Sequence, residues 1–126
     1  MLFSIDSHEY VDRMIHEASF NRCKARLSAQ AYDTIVQELA SRFDADEVQT
    51  SSWIPGSDWT GTIWEPIYSK ACMGDVTQAA LFFGLLVWRV ALDHPEVWGF
   101  GRYQLNGKDI AGMTYFRLRT PPPRAP

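Results

Sequence analysis

Cysteine is scarce in this chain of 126 residues, which holds only Cys23 and Cys72. The two lie far apart in the sequence and in no spacing typical of metal ligands, so we expect no metal site. Free, buried thiols are the favoured interpretation, ahead of a disulfide. The first residues also lack the basic start and the apolar segment of a secretory signal peptide. Together these absences predict a cytoplasmic protein.

An excess of either charge is also missing. Twelve Lys and Arg residues stand against 15 Asp and Glu residues, for a formal net charge of -3, so no basic field predicts nucleic-acid binding. The longest apolar run, Ala79–Trp88, has ten residues, whereas a membrane-spanning helix needs roughly 20. We therefore expect neither nucleic acid nor a membrane as a partner.

The sequence carries no established catalytic motif. It has no nucleophile elbow, no glycine loop for phosphate, and neither a His-x-x-x-His nor a Cys-x-x-Cys pattern. This absence favours a protein that is not an enzyme, although it does not exclude one. We expect no cofactor.

The apolar run belongs to Asp75–Asp93, which the pattern predicts to be a central, buried helix. Asp75 supplies an N-cap carboxylate, and the His94-Pro95 step ends the helix because a residue before proline avoids helical angles. With 46% hydrophobic and 13% aromatic residues overall, residues 1–119 are long enough for one folded domain. Residues 120–126, TPPPRAP, are predicted to form a disordered proline-rich tail.

Two amphipathic helices are predicted before the central helix. The segment Asp6–Glu9 has the D-x-x-E form of a capping box, so the first helix is expected to start near Ser7. Ser28 is expected to cap the second helix, which ends near Phe43. Each helix would lay its apolar stripe on the central helix. A further short helix is expected over Pro66–Cys72, where proline fits the first turn.

A C-terminal β-hairpin is predicted from the Asn106-Gly107 turn between two β-rich runs, because both turn residues tolerate positive φ. A weaker strand signal lies in Glu47–Trp53. The two-residue turn sets a register that pairs Leu105 with Lys108, Tyr103 with Ile110, Gly101 with Gly112, Gly99 with Thr114, and Val97 with Phe116. The predicted fold is therefore α+β, with two N-terminal amphipathic helices and a central apolar helix packed on a small antiparallel sheet.

The two faces of this hairpin are expected to differ. One face carries the larger side chains, among them Trp98, Phe100, Arg102, Met113 and Tyr115. The other brings Gly99, Gly101 and Gly112 together in a shallow trough, which permits a close backbone approach. A helix packed into the trough is the favoured interpretation, and a bound ligand is the alternative.

Tryptophan is concentrated in the segment between the second and the central helix. An irregular stretch that carries Trp53, Trp59 and Trp64 beside Asp58 and Glu65 suits an aromatic-walled pocket for a cation or a planar ligand. The competing and favoured interpretation is that the three rings anchor a loop to the core.

Four further polar residues are weighed as candidates for chemistry. His94 suits an acid–base group, although a polar residue at a helix C-terminus is the favoured interpretation. Arg89 and Arg102 stand among apolar residues and need partners, so local ion pairs are favoured over anion binding. Cys72, one helical turn from Tyr68, has no assignable base and is favoured as a core thiol.

These observations lead to two functional hypotheses. The first is a small non-catalytic interaction module of an inhibitor, immunity or adaptor type. It would act through an aromatic surface that includes Trp98, Phe100 and Tyr115, and its partner would be another protein or a second copy of the chain. The alternative is a small enzyme or ligand-binding domain with a tryptophan-walled pocket. If other elements of the chain enclose Phe82 and Leu85, the central helix is scaffold only. If the two side chains are exposed, the helix is part of an interface.

Overall fold

The computed structural model describes residues 1–45, 48–50, 62–101, 104–105, 108–109 and 114–123, with the backbone alone at 48–50, 76, 104–105 and 108–109. The strands are β1 (Leu2–Ser4), β2 (Glu9–Val11), β3 (Val48–Thr50), β4 (Trp98–Gly101), β5 (Gln104–Leu105), β6 (Lys108–Asp109) and β7 (Thr114–Arg117). The helices are α1 (Glu17–Lys24), α2 (Ala29–Ala45), a π-helix (Ile67–Ala71) and α3 (Val76–Asp93). The predicted α+β class is confirmed.

Five of these strands form one mixed sheet. Their order is β2-β1-β4-β7-β3, and β5 pairs separately with β6. Strand β1 runs parallel to β4, while the other neighbouring strands are antiparallel. A parallel pair needs a long crossover connection, and here α1, α2 and α3 all lie between the two strands in the sequence. The prediction of a purely antiparallel sheet is therefore wrong.

The N-terminal segment is a β-hairpin and not the start of a helix. Phe3 pairs with Tyr10 across the hairpin, and on its other side Phe3 pairs with Gly99 of β4. His8, inside the predicted capping box, has a positive φ of 56°, which an α-helix does not admit. The first helix, α1, is present but begins only at Glu17, so the start predicted near Ser7 is wrong.

The second and the central helix are found as predicted. The Ser28 hydroxyl accepts a hydrogen bond from the Ala31 amide at 3.1 Å, at the start of α2. The Asp75 carboxylate accepts one from the Gln78 amide at 3.0 Å, and α3 ends at Asp93. The short helix expected from Pro66 is present as the π-helix. Within the part of the chain that the structure describes, no helix is long and apolar enough to cross a membrane.

Replacing Asp75 with alanine is expected to lower the free energy of unfolding by about 1 kcal/mol, because a first-turn amide of α3 loses its acceptor. Asp75→Asn is the matched control, since asparagine caps about as well as aspartate. Urea unfolding monitored by circular dichroism measures both variants. Equal destabilisation by alanine and by asparagine would contradict the capping role.

One face of the sheet packs against the helices and forms the interior of the domain. Trp98, Phe100 and Tyr115 project from this face and are buried. The ring of Phe43, on α2, meets Trp98 edge to face with 4.7 Å between centroids. Trp88, on α3, meets Phe100 in the same way at 4.8 Å. The aromatic face of the predicted hairpin is thus covered by α2 and α3.

The glycine-bearing face is the outer one, so the prediction that a helix packs there is wrong. A Cβ atom built on Gly99 would lie 2.9 Å from the Phe116 ring, 3.0 Å from Ile5 and 3.3 Å from Leu118. These side chains fill the described part of the predicted trough. Gly101 lies on β4 and Gly112 lies outside the described residues.

The segment after β7 stays beside the sheet. The Leu118 amide donates a hydrogen bond to the Val97 carbonyl at 2.9 Å, and the Tyr10 hydroxyl donates one to the Pro122 carbonyl. The described part of the predicted tail, up to Pro123, therefore contacts the N-terminal hairpin. Residues 124–126 lie outside the description.

The predicted hairpin register holds only near its turn. Leu105 pairs with Lys108 as expected, while the Asn106-Gly107 turn itself lies outside the described residues. Between β4 and β7, Gly99 pairs with Phe116 and not with Thr114. The register there differs by two residues from the prediction, although each residue keeps the same face of the sheet.

Candidate functional site

The aromatic residues expected to form a binding surface lie inside the domain. Trp98 is 0% exposed and Tyr115 is 1% exposed, while Phe100 is also buried. The predicted aromatic surface is therefore not exposed on the described part of the chain. Arg102, which is expected on the same face of the hairpin, lies outside the described residues.

Trp64 anchors its segment to the core. Its side chain is 3% exposed and meets the Phe83 ring edge to face at 5.3 Å. The Arg42 guanidinium lies over the Trp64 ring, 5.5 Å from the centroid. This position supports the anchoring interpretation for this one tryptophan. The other predicted pocket residues, Trp53, Asp58 and Trp59, lie outside the described residues.

Glu65, expected beside the tryptophan pocket, and His94, weighed as an acid–base group, line separate cavities. Glu65 borders an open groove of about 590 Å³ together with Ser28, Thr34 and Lys70. His94 borders a different cavity, beside Met1 and Tyr10 among others. The structure therefore does not bring these two polar groups to a common centre.

His94 is engaged at both ring nitrogens. Its Nε2 lies 2.8 Å from a carboxylate oxygen of Asp44, and its Nδ1 accepts a hydrogen bond from the Glu96 amide at 3.1 Å. Because Nδ1 accepts, the neutral ring carries its proton on Nε2 and donates it to Asp44. The side chain is only 6% exposed. This arrangement supports a role at the helix end and leaves no free nitrogen for a substrate.

Arg89 has the local partner that was expected. Its Nε and Nη2 donate to the two carboxylate oxygens of Asp93, at 2.8 and 2.9 Å. The two residues are one helical turn apart on α3, and both are substantially exposed. A bidentate surface pair occupies the guanidinium, which removes the reason to infer anion binding at this position.

A cleft that the sequence did not indicate lies between α1 and the first half of α3. We call it the α1–α3 cleft. Its cavity has a volume of about 190 Å³ and is lined by His16, Ser19, Cys23, Gln78, Leu81, Phe82 and Leu85. Leu81 stands at the rim with 59% of its side chain exposed, whereas Phe82 and Leu85 are buried in the floor. The cleft is thus an apolar depression with an exposed leucine beside it.

Helical spacing explains how these side chains meet. On α1, Ser19 and Cys23 are one turn apart and point the same way. On α3, Gln78, Leu81 and Leu85 form a matching stripe. The depression between the stripes is the candidate binding site.

The two helices are held together below the cleft by an aromatic contact. Phe20 of α1 is buried, and its ring centroid lies 5.8 Å from that of Phe82 on α3. The enclosure of Phe82 and Leu85 shows that the middle of α3 is scaffold. Leu81, in contrast, is exposed at the edge of α3.

A second cavity adjoins the cleft and contains both cysteines. It measures about 400 Å³, and Cys23, Cys72, Arg22 and Arg26 are among its lining residues. Both thiols are free; Cys23 is half-buried and Cys72 is buried. Burial raises the pKa of the Cys72 thiol to about 12, and the neighbouring Cys23 adds to the rise. The prediction of free thiols is confirmed, and the predicted burial holds fully only for Cys72.

Among the described residues, no group of three or more His, Cys, Asp or Glu side chains is placed to hold a metal ion. Comparisons with protein-family models, with curated proteins and with solved structures find no match to this chain.

Proposed function

We propose that this protein is a non-catalytic protein-interaction module of an inhibitor, immunity or adaptor type, and that it binds its partner through the α1–α3 cleft. The observation that carries the proposal is Leu81, which is 59% exposed at the rim of an apolar cavity. A single exposed leucine is common on protein surfaces. A leucine beside an apolar depression offers a partner both an apolar contact and a cavity to fill.

The size of the cavity favours a protein partner over a small ligand. Pockets for small molecules measure roughly 300–1,000 Å³, whereas this cavity measures about 190 Å³. Such a space admits one apolar anchor side chain of a larger partner. Helices that dock in grooves present anchors of this kind at three- and four-residue spacing. We therefore propose a partner that inserts one large apolar side chain between Leu81 and Cys23.

The proposed class of function is the one expected from the sequence, but the proposed binding surface is the α1–α3 cleft and not the aromatic face of the sheet. The aromatic residues Trp98, Phe100 and Tyr115 would not contact the partner, because they are buried. Phe100 packs against Trp88 of α3, which is one of the two helices that form the cleft. A second copy of the chain is one form that the partner can take.

The alternative, a ligand-binding domain, has one observation in its favour. The groove beside Glu65 measures about 590 Å³, which is within the range of small-molecule sites. Its lining carries a larger polar share than that of the cleft, with Ser28, Thr34 and Lys70 among its residues. Small-molecule pockets are mostly apolar with a few placed polar groups, so this groove supports the alternative less well than the cleft supports a protein partner.

The test compares Leu81→Ser with Ile63→Ser. Both wild-type residues are large, apolar and exposed. Ile63, which is 43% exposed, lies outside the cleft and therefore serves as the control. The immobilised full-length chain and both variants are incubated with a lysate of the host, and retained proteins are quantified by mass spectrometry. A candidate partner is retained by wild type and by Ile63→Ser, and is depleted on Leu81→Ser.

The candidate partner is then purified and its affinity measured by calorimetry. Loss of a buried leucine contact of about 1.5–3 kcal/mol corresponds to an affinity roughly 10- to 200-fold weaker. Because Leu81 is exposed, the stability of the variant should change by less than about 0.5 kcal/mol. If Leu81→Ser leaves the affinity unchanged, or weakens it no more than Ile63→Ser does, the cleft is not the binding surface.

A further inference from the structure

The two cysteines lie together although 48 residues separate them in the sequence. Cys23 is in the last turn of α1, and Cys72 directly follows the π-helix. Both side chains line one cavity, and Cys23 lies close enough to contribute to the raised pKa of Cys72. The fold thus places two free thiols beside each other at the junction of two elements.

Neighbouring contacts hold this junction in place. The Arg26 guanidinium, just beyond α1, donates a hydrogen bond to the Ala71 carbonyl at 2.9 Å. That carbonyl immediately precedes Cys72, so the contact fixes the Cys72 backbone against the end of α1. After Cys72 the chain turns through Met73 and Gly74, both with positive φ. The segment is therefore anchored on one side of Cys72 and formed by a short turn on the other.

The two thiols differ in their access to solvent. Cys23 is half-buried, whereas Cys72 is 4% exposed. Burial raises the pKa of Cys72 to about 12, with Cys23 adding to the rise and Arg26 opposing it. A reagent from solvent therefore meets Cys23 first, while Cys72 stays protonated behind it.

We propose that Cys23 and Cys72 form a redox-responsive pair, in which the Cys23 thiolate attacks a low-molecular-weight disulfide and Cys72 is the resolving thiol. The inference is independent of the proposed function. The attack of the Cys23 thiolate on the reagent forms a mixed disulfide and releases one thiolate. Cys72 then gives its proton to the first released thiolate, and its own thiolate attacks Cys23 Sγ, which forms the internal disulfide and releases the second thiolate to take up a proton from solvent. The protein loses two hydrogens, and the reagent is reduced to two thiols.

The charge around the pair suits an anionic reagent of the glutathione type. Arg22 and Arg26 line the same cavity as the thiols, against one carboxylate, that of Asp75. The two guanidinium groups can attract the carboxylates of such a disulfide. Cys23 also lines the α1–α3 cleft. Closure of the internal disulfide would therefore draw a cleft residue toward Cys72 and change the shape of the cleft.

The test exposes the full-length chain to oxidised glutathione at neutral pH and follows its intact mass. Wild type is expected to lose two hydrogens and to hold no glutathione at the end of the reaction. Cys72→Ser should stop at a stable adduct of one glutathione, because the resolving thiol is missing. Cys23→Ser should react at least about ten-fold more slowly, since only the buried thiol remains.

Three results would overturn the proposal. One is a wild-type chain that keeps glutathione on Cys23, or keeps both thiols reduced, under conditions that modify Cys72→Ser. Another is a Cys23→Ser variant that reacts as fast as wild type. The third is a disulfide that links two chains, which non-reducing electrophoresis detects. Circular dichroism verifies that each variant is folded, and Cys72→Ala replaces Cys72→Ser if the serine is not tolerated.

Discussion

Replacing Phe43 with alanine is expected to lower the free energy of unfolding by about 3–5 kcal/mol, the largest effect that we expect of a single substitution in this chain. The Phe43 side chain is fully buried. Its ring meets Trp98 at 4.7 Å and Tyr115 at 5.7 Å, both edge to face. Alanine would leave a cavity between α2 and two strands of the sheet. Urea unfolding of the purified chain, followed by tryptophan fluorescence and circular dichroism, measures the loss.

Phe43→Leu is the matched control. Leucine keeps most of the apolar volume and loses the edge-to-face contacts, so its cost should be nearer 1 kcal/mol. The midpoint of unfolding should therefore fall in the order wild type, leucine, alanine. A cost below about 1 kcal/mol for Phe43→Ala would mean that α2 does not cover the aromatic face of the sheet. In that case Trp98 and Tyr115 would again qualify as a surface.

The second and the central helix could be predicted from the sequence because their signals are local. Ser28 and Asp75 cap helices by accepting amides three residues ahead, and the apolar spacing of α2 and α3 lies within each segment. A residue before proline ends α3 in the same local way, at His94. Such features need no knowledge of the rest of the chain, and they were found where they were expected.

The N-terminal hairpin could not be predicted in that way, because its cause is remote. The capping-box pattern at Asp6–Glu9 predicts the start of a helix only if the preceding residues are not held in a sheet. Here Leu2–Ser4 pairs in parallel with Trp98–Phe100, more than ninety residues away. Inclusion in the sheet satisfies the backbone of β1 from both sides. That tertiary pairing overrides the local preference for a helix.

The predicted register of β4 and β7 was wrong for a different reason. A two-residue turn fixes the pairing next to it, and Leu105 does pair with Lys108. Two residues separate β4 from β5, whereas four separate β6 from β7. The unequal connections shift the outer pairing by two residues, so that Phe100 lies opposite Tyr115. An even shift preserves the side-chain faces, which is why the aromatic face itself was predicted correctly.

The candidate site was hidden because its parts belong to different segments. Leu81 lies in an apolar run and resembles its neighbours there. Only its spacing, four residues after Thr77 and three after Gln78, places it on the same side of the helix as these polar residues. Cys23 and Cys72 carried no pairing signal at all, since contact between α1 and the segment before α3 is a property of the assembled fold. Two cysteines can be judged as a pair only when their distance in space is known.

The burial of Tyr115 should make the fold sensitive to alkaline pH. Its side chain is 1% exposed, and this burial raises the pKa of the phenol. In the unfolded chain a tyrosine loses its proton near about pH 10. Above that pH the unfolded state binds fewer protons than the folded state, so the free energy of unfolding must fall as pH rises. The stabilising contribution is fully present below about pH 10 and is lost above it. The raised pKa of Cys72 acts in the same direction.

Wild type is therefore expected to lose stability steeply above about pH 10, by roughly 1.4 kcal/mol per pH unit for each buried group that stays protonated in the fold. Tyr115→Phe removes one such group and keeps the ring, so its stability should decline less steeply over the same range. At neutral pH both chains carry an uncharged ring at this position, and the slopes there should agree. Urea midpoints measured between neutral and strongly alkaline pH give the comparison. Parallel curves throughout would show that Tyr115 is accessible to water in the fold, against its place under α2.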